Sequence, residues 1–187
     1  MRLDINAPAP PFSVDDVDGR PITLEAYRGR KVLLAFFRHV GCPFCNMRVY
    51  TLAKAHAAFQ ARGLDMVFFF ESKAKLIKMS SFHQGASPIP LVSDPEKHWY
   101  GVYGLEESKK KPPLKTFFVS SVQAKLKGAP LHFPTGGESN ETMPAEFLID
   151  EAGIVRQLHY SDRITDRLNL DDIHAFADHP AAAPVLV

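Results

Sequence analysis

The 187-residue chain contains two cysteines, Cys42 and Cys45, and only two residues separate them. They lie in the stretch Phe36-Phe37-Arg38-His39-Val40-Gly41-Cys42-Pro43-Phe44-Cys45. An apolar run over residues 32–37 precedes them, and a segment of helical periodicity, about 46–62, follows. The pattern predicts a buried strand that turns directly into a helix with both sulfurs at its N-terminus. The first N–H groups of a helix are unpaired and carry the positive end of its dipole. A thiolate placed there is stabilised, and its pKa falls below the free value of about 8.5. A second thiol one turn away can resolve whatever forms on the first, so the chemistry expected is thiol redox. Pro43 suits the first helical turn, where its missing N–H is not needed.

Other readings stand beside this one. Cysteine is often a small buried hydrophobe. His39 with Cys42 and Cys45 spells an incomplete set of metal ligands, but there is no second cysteine pair to close a four-thiolate site. Near the sulfurs, Arg38 is placed to lower a thiol pKa by its charge, and His39 to do so when protonated or to shuttle a proton. Arg48, one turn further on, reads as solvent-facing, and Arg156 as a strand-surface residue.

The elements that must position these groups follow from periodicity and punctuation. A proline-rich lead-in reaches residue 11, and Asp18-Gly19 signals a hairpin. Residues 31–37 and 64–70 are nearly continuous apolar runs, as in central strands buried on both faces. The helix after the cysteines places Val49, Leu52, His56 and Phe59 on one face, with Gly63 as its cap. Residues 72–84 read as one helix and 88–93 as a short strand. Asp94-Pro95 opens another helix, which carries Trp99, Tyr100 and Tyr103. Residues 105–143 form a long connection of the kind that makes lids or contact surfaces. Within it, 115–127 is strand or helix around Phe117-Phe118-Val119. Residues 143–160 form a second hairpin, 170–177 the last helix, and 179–187 a tail.

Composition narrows the function. A hydrophobic fraction of 45% and a charged fraction of 23% are those of an ordinary soluble domain. The net charge of +1 gives no electrostatic case for nucleic acid or an anionic membrane. No apolar run approaches the roughly 20 residues of a spanning helix, and the first residues lack a signal-peptide core. A cytoplasmic location is the expectation, and there a lone cysteine pair is catalytic more often than structural.

The order of elements resembles the thioredoxin-like fold in its peroxiredoxin-like form, the alkyl hydroperoxide reductase/thiol-specific antioxidant family. The resemblance rests on Phe12 with Asp18-Gly19, Leu24 through Gly29, Phe36 through Cys45, Ser93-Asp94-Pro95 with Tyr103-Gly104-Leu105, and Phe147-Leu148-Ile149-Asp150 with Gly153. It implies an α/β fold with a central mixed sheet flanked by helices. One domain would span 1–178, with an N-terminal hairpin and an insertion at about 105–143 before a strand led by a cis-proline. By similarity that proline is Pro144, with a cis Met143–Pro144 bond and a Met143 backbone free to pair with substrate. The family's Pro-x-x-x-Thr/Ser-x-x-Cys motif is altered: Arg38 replaces the proline, Cys42 the threonine, and Cys45 takes the peroxide-reactive position. Pro144 stands near the Phe-Leu-Ile-Asp strand, where the family places an arginine. Cys-Pro-Phe-Cys is instead similar to the glutaredoxin motif. In thioredoxin-type chemistry Cys42, nearer the surface, attacks and Cys45 resolves. In peroxiredoxin-type chemistry Cys45 attacks and Cys42 resolves.

The expected function is therefore a thiol-dependent oxidoreductase or peroxidase that cycles a Cys42–Cys45 dithiol and disulfide without a cofactor. Its substrate would be a peroxide or a disulfide, and its reductant a thiol of the thioredoxin or glutathione type. The resemblance also implies a possible homodimer, while the net charge and the lack of a spanning run lead to the expectation of no nucleic-acid or membrane partner. The alternatives are a metal-binding module using His39, Cys42 and Cys45, or a non-catalytic scaffold whose insertion binds a partner.

Overall fold

The computed structural model describes residues 1–109, 112–131, 133–135 and 138–179; the tail expected at 179–187 lies outside them after His179. A five-stranded mixed sheet forms the centre. Its strands are β3 (Lys31–Phe37), β4 (Leu64–Phe70), β5 (Leu91–Ser93), β6 (Ala145–Ile149) and β7 (Val155–Tyr160), arranged β5-β4-β3-β6-β7. β3, β4 and β5 run parallel, and β6 and β7 antiparallel to their neighbours. Ahead of the sheet, β1 (Ser13–Asp15) and β2 (Pro21–Thr23) pair as the hairpin expected at Asp18-Gly19. Gly19 adopts a φ of +79°, and the buried Asp16 carboxylate accepts the N–H groups of Asp18 and Arg20, both at 2.9 Å.

β3 explains its own sequence. Leu33, Ala35 and Phe37 face a layer made by α1 (Pro43–Gln60) and α6 (Leu170–Asp178), where they meet Val49, Leu52, Phe59 and Ile173. Val32, Leu34 and Phe36 face the other layer, with Phe69, Tyr100, Tyr103 and Phe147. Phe36 stacks on Phe69 at 4.8 Å between centroids and meets the Tyr100 ring edge-on at 5.2 Å. A strand buried on both faces has no polar alternate positions, which is why residues 32–37 read as one apolar run. The aromatic cluster of α4 (His98–Val102) is core, and His56 is buried at the core edge of α1.

Several boundaries differ from the sequence reading. Residues 72–84 make two short helices, α2 (Ala74–Met79) and α3 (Ser81–Gln84). Ser80 is extended between them, and its hydroxyl accepts the His83 N–H. A serine inside a helical pattern competes for local backbone groups in this way. Asp94 does cap the next helix, through His98 N at 3.1 Å and Trp99 N at 2.8 Å, but that helix starts at His98. Lys97 is left-handed, at φ +56°, so Pro95 sits in the preceding turn. The Phe117-Phe118-Val119 segment is helical, in α5 (Leu114–Leu126).

The expectation of a cis-proline before β6 is corrected. Among the described residues the cis bond is Ser87–Pro88, and Met143–Pro144 is trans. Trans is the lower-energy state of an X-Pro bond by about 0.5–1 kcal/mol. Here residues 141–143 are drawn out straight by pairing with 106–108: Met143 N donates to Glu106 O at 2.9 Å and Ser108 N to Glu141 O at 2.7 Å. The Met143 N–H is therefore already used inside the chain and is not open to a substrate strand.

Candidate active site

The site sits at the C-terminal edge of the parallel strands, where open α/β sheets place their ligand crevices. β3 ends at Phe37, whose carbonyl accepts the Tyr100 hydroxyl at 2.5 Å. Arg38 to Gly41 make the turn. Cys42 is the N-cap of α1 and Pro43 its first helical residue, as the sequence predicts. Cys42 O receives Asn46 N at 3.0 Å, the first bond of the helix.

The two sulfurs are free thiols, and both are wholly buried. The expectation that Cys42 lies nearer the surface is corrected: neither sulfur is exposed, and a strap formed by residues 138–142 is bonded to Arg38 and His39 of the turn through Asn140. Cys42 Sγ accepts Cys45 N at 3.4 Å and Arg38 Nη2 at 3.1 Å. Burial alone would push the Cys42 thiol up. A hydrogen bond from Cys45, the charge and hydrogen bond of Arg38, and the charge of His39 outweigh it and hold Cys42 well below its ordinary value. Cys45 is pushed well above its ordinary value by burial, then by its hydrogen bond to Cys42 and the Cys42 charge. The Arg38 contact and the opposite directions of the two shifts favour negative charge on Cys42 over Cys45.

His39 contributes less than its position suggested. Burial lowers its pKa and the Arg38 charge lowers it further, against the Cys42 charge and a hydrogen bond donated to the Asn140 side-chain oxygen. Its Nε2 lies 3.2 Å from Asn140 Oδ1. The guanidinium is thus the permanent charge beside the sulfur. Arg38 also reaches the strap, where Nη1 donates to Asn140 O at 2.5 Å.

The strap is tied to the ends of the strands. Glu71, wholly buried after β4, accepts Ser139 N and the Thr142 hydroxyl, each at 2.8 Å, and lies 3.4 Å from Lys97 Nζ. Burial raises the pKa of Glu71 against those partners. Ser72 links the two layers: its Oγ accepts Val40 N at 2.9 Å and donates to Glu138. Asn46 joins Val40 O, at 2.8 Å, to Pro130 O, at 3.1 Å. The sequence reading passed over Glu71, Asn46 and Asn140 and took Ser72 only as the capping start of a helix, whose N-cap is Lys73. The available signal was the Glu-Ser pair that ends an apolar parallel strand on the same edge as the cysteines.

Arg48 is not solvent-facing. It forms a buried two-point pair with Glu146 of β6, both bonds at 2.7 Å, and Nη2 also reaches Leu168 O at 2.9 Å. The pair fixes the first turns of α1 against the sheet below the sulfurs.

A cavity of about 630 Å³ opens beside the cysteines, lined by Arg38, Phe44, Leu114, Phe117 and Asn140 among others. One wall is apolar, and Arg38 carries charge into it. Met143 and Pro144 line a separate cavity of about 160 Å³ and are not brought to this one. A third, of about 420 Å³, lies beside Lys31 at the opposite end of β3. Among the described residues no three His, Cys, Asp or Glu side chains converge as metal ligands, so His39, Cys42 and Cys45 do not form such a set. No helix among them is long and apolar enough to cross a membrane.

Residues 5–158 match the model of the AhpC/TSA family. The chain is 30% identical to Peroxiredoxin 2 of Thermoplasma acidophilum over 172 residues, which is 88% of this chain and 70% of that one. It is 22% identical to the thiol-disulfide oxidoreductase ResA of Bacillus anthracis over 125 residues, covering 67% of this chain and 68% of the other. The fold matches the reduced 2-Cys peroxiredoxin of Plasmodium vivax with a TM-score of 0.65 at 19% identity, over 93% of this chain and 80% of that one. The central sheet and flanking helices are thus thioredoxin-like, and the chain belongs to the AhpC/TSA family as a thiol-based oxidoreductase with a Cys-x-x-Cys pair.

Proposed function

We propose that this protein is a thiol-dependent peroxidase in which Cys42 attacks and Cys45 resolves. The observation that carries this reading is the Arg38 Nη2 contact with Cys42 Sγ at 3.1 Å, set against a Cys45 that burial and its neighbour keep protonated. The Cys42 thiolate attacks one peroxide oxygen, the O–O bond breaks, and the leaving alkoxide or hydroxide takes a proton. Cys42 becomes a sulfenic acid. The negative charge that kept Cys45 protonated is then gone, so Cys45 can lose its proton. Its thiolate attacks the Cys42 sulfur, the S–O bond breaks, the leaving hydroxide takes up the Cys45 proton as water, and the Cys42–Cys45 disulfide closes. An external thiol reductant of the thioredoxin or glutathione type returns both thiols.

Thiol–disulfide exchange led by the same Cys42 is the second reading. A thiolate at a helix N-cap with a protonated thiol behind it serves that reaction equally. The complete burial of both sulfurs supports a small substrate first. Residues 1–178 act as one unit in this reading, with 105–143 as the cover of the site. A homodimer is the assembly that the family resemblance implies; the cycle does not need one, since both sulfurs come from a single chain.

The test is stopped-flow oxidation of the reduced protein by hydrogen peroxide, with Cys42→Ser and Cys45→Ser variants. The reading expects rapid oxidation of the Cys45→Ser variant and none beyond free-thiol rates for Cys42→Ser. Free-thiol rates for the wild type, with rapid reduction of a small disulfide, would leave the exchange reading in its place.

A further inference from the structure

The net charge of +1 conceals a polarised chain. From 109 to 137 the sequence holds six lysines and no aspartate or glutamate. The rest holds sixteen basic residues against twenty-one acidic ones. The centre of this basic stretch is α5, and α5 is turned inside out for a helix of a soluble domain. It packs on α1 through Ala124, its one buried residue, and through Phe117, whose ring centroid lies 6.2 Å from that of Phe44. The opposite face is apolar. Leu114, Phe118, Val122 and Leu126 recur every four residues and are 83%, 67%, 43% and 82% exposed. Val119 is exposed beside them, and so are Leu131 and Phe133 just past the helix. Lys115 and Lys125 stand among these residues, both exposed.

We infer that α5 is a membrane-surface helix, and that this face docks on a bilayer containing anionic lipid. The charge distribution selects that occupant. A helix with aromatic and aliphatic side chains on its outer face and lysines interspersed lies in the interface plane. There its apolar residues enter the acyl boundary, while the ammonium groups snorkel to the lipid phosphates. A second copy of this chain is disfavoured, because a two-fold contact through α5 sets the lysines of one copy against those of the other. The stripe begins at Leu114, which also lines the cavity beside Arg38, so docking sets the mouth of that cavity at the lipid surface. The inference does not depend on which thiol attacks or on which oxidant is reduced.

The test is flotation of the full reduced chain with vesicles of phosphatidylcholine alone and of phosphatidylcholine with phosphatidylglycerol. The bound fraction should rise on the order of tenfold with the anionic lipid and fall as salt is added. The double variant Phe118→Asp/Val122→Asp should remain in the soluble fraction. Its oxidation by hydrogen peroxide without vesicles should stay at the wild-type rate, which shows that the fold is intact. Absence of wild-type binding to anionic vesicles would overturn the inference, and so would equal binding by the double variant. A wild-type dimer that the same variant splits, with no vesicle binding, would assign the face to a second copy instead.

Discussion

Arg38 holds two things at once. Its Nη2 lies 3.1 Å from Cys42 Sγ, and its Nη1 lies 2.5 Å from the Asn140 carbonyl. One buried guanidinium therefore both charges the reactive sulfur and fastens the strap that hides it. The charge of the Cys42 thiolate in turn helps raise the Arg38 pKa against its burial.

Replacing Arg38 with Met should move the Cys42 pKa up. The wild-type group is held below its ordinary value, so its thiolate, and with it the peroxide rate, persists as pH falls below the free-thiol range. In the variant the rate near pH 6 should drop by about tenfold for each unit of upward shift. The two profiles should converge only above the variant's own thiol pKa, which burial raises once Arg38 is gone. A pH–rate profile of thiol loss checks this; superimposable profiles would remove Arg38 from the site's electrostatics.

The same shift has a thermodynamic signature. The Cys42 pKa is lower folded than unfolded. Its contribution to stability is therefore complete above the unfolded thiol pKa and is lost as pH falls through the folded value. Urea midpoints of reduced wild type and Cys42→Ser should differ most at alkaline pH, in favour of the wild type, and draw together on acidification.

Glu71→Ala should loosen the strap. The substitution removes the acceptor of the Ser139 N–H and of the Thr142 hydroxyl, while Lys97 keeps Glu107 at 2.9 Å; a buried donor left unmet costs about 1–3 kcal/mol. Hydrogen exchange at 138–143 should accelerate, and bulky thiol reagents should reach Cys42 faster. Unchanged access of such reagents would mean that the strap is not what covers the sulfur.

Arg48→Ala should destabilise the fold by about 3–5 kcal/mol, because it leaves the buried Glu146 carboxylate without its cation, with the Leu168 N–H at 3.1 Å as its remaining partner. The double change Arg48→Met/Glu146→Leu should recover most of that loss. Denaturant unfolding of the wild type and the two variants separates an unpaired-charge penalty from a cavity penalty, since a cavity would not be relieved by the second substitution.

Much of the site was legible because the chemistry is local. A strand buried on both faces, a turn and an N-capping cysteine are encoded within fifteen residues, and Asp18-Gly19 turns its hairpin as expected, whereas the helix is capped by Ala61 and Gly63, at φ +78°, follows it. What the sequence hid is long-range. Arg48 reads as a helix-surface cation until β6, about a hundred residues later, supplies Glu146. Asn140 and Glu71 become site residues only because a strap with no periodic pattern folds back over the strand ends. The Pro144 expectation came from resemblance, and it failed where Glu106 and Ser108 pair with residues 141–143 and draw that segment out straight. The exposed face of α5 was hidden differently: Phe117-Phe118-Val119 reads as core in any window, and whole-chain charge averages away the six lysines around it.

The measurement that bears most directly on the account is the location of the first sulfenic acid. Reduced protein is mixed briefly with substoichiometric hydrogen peroxide in the presence of a dimedone-type trap, digested and mapped by mass spectrometry, with Cys45→Ser alongside to block condensation. The account predicts the adduct on Cys42 in both proteins. An adduct on Cys45 in the wild type, together with an unreactive Cys45→Ser, would contradict it.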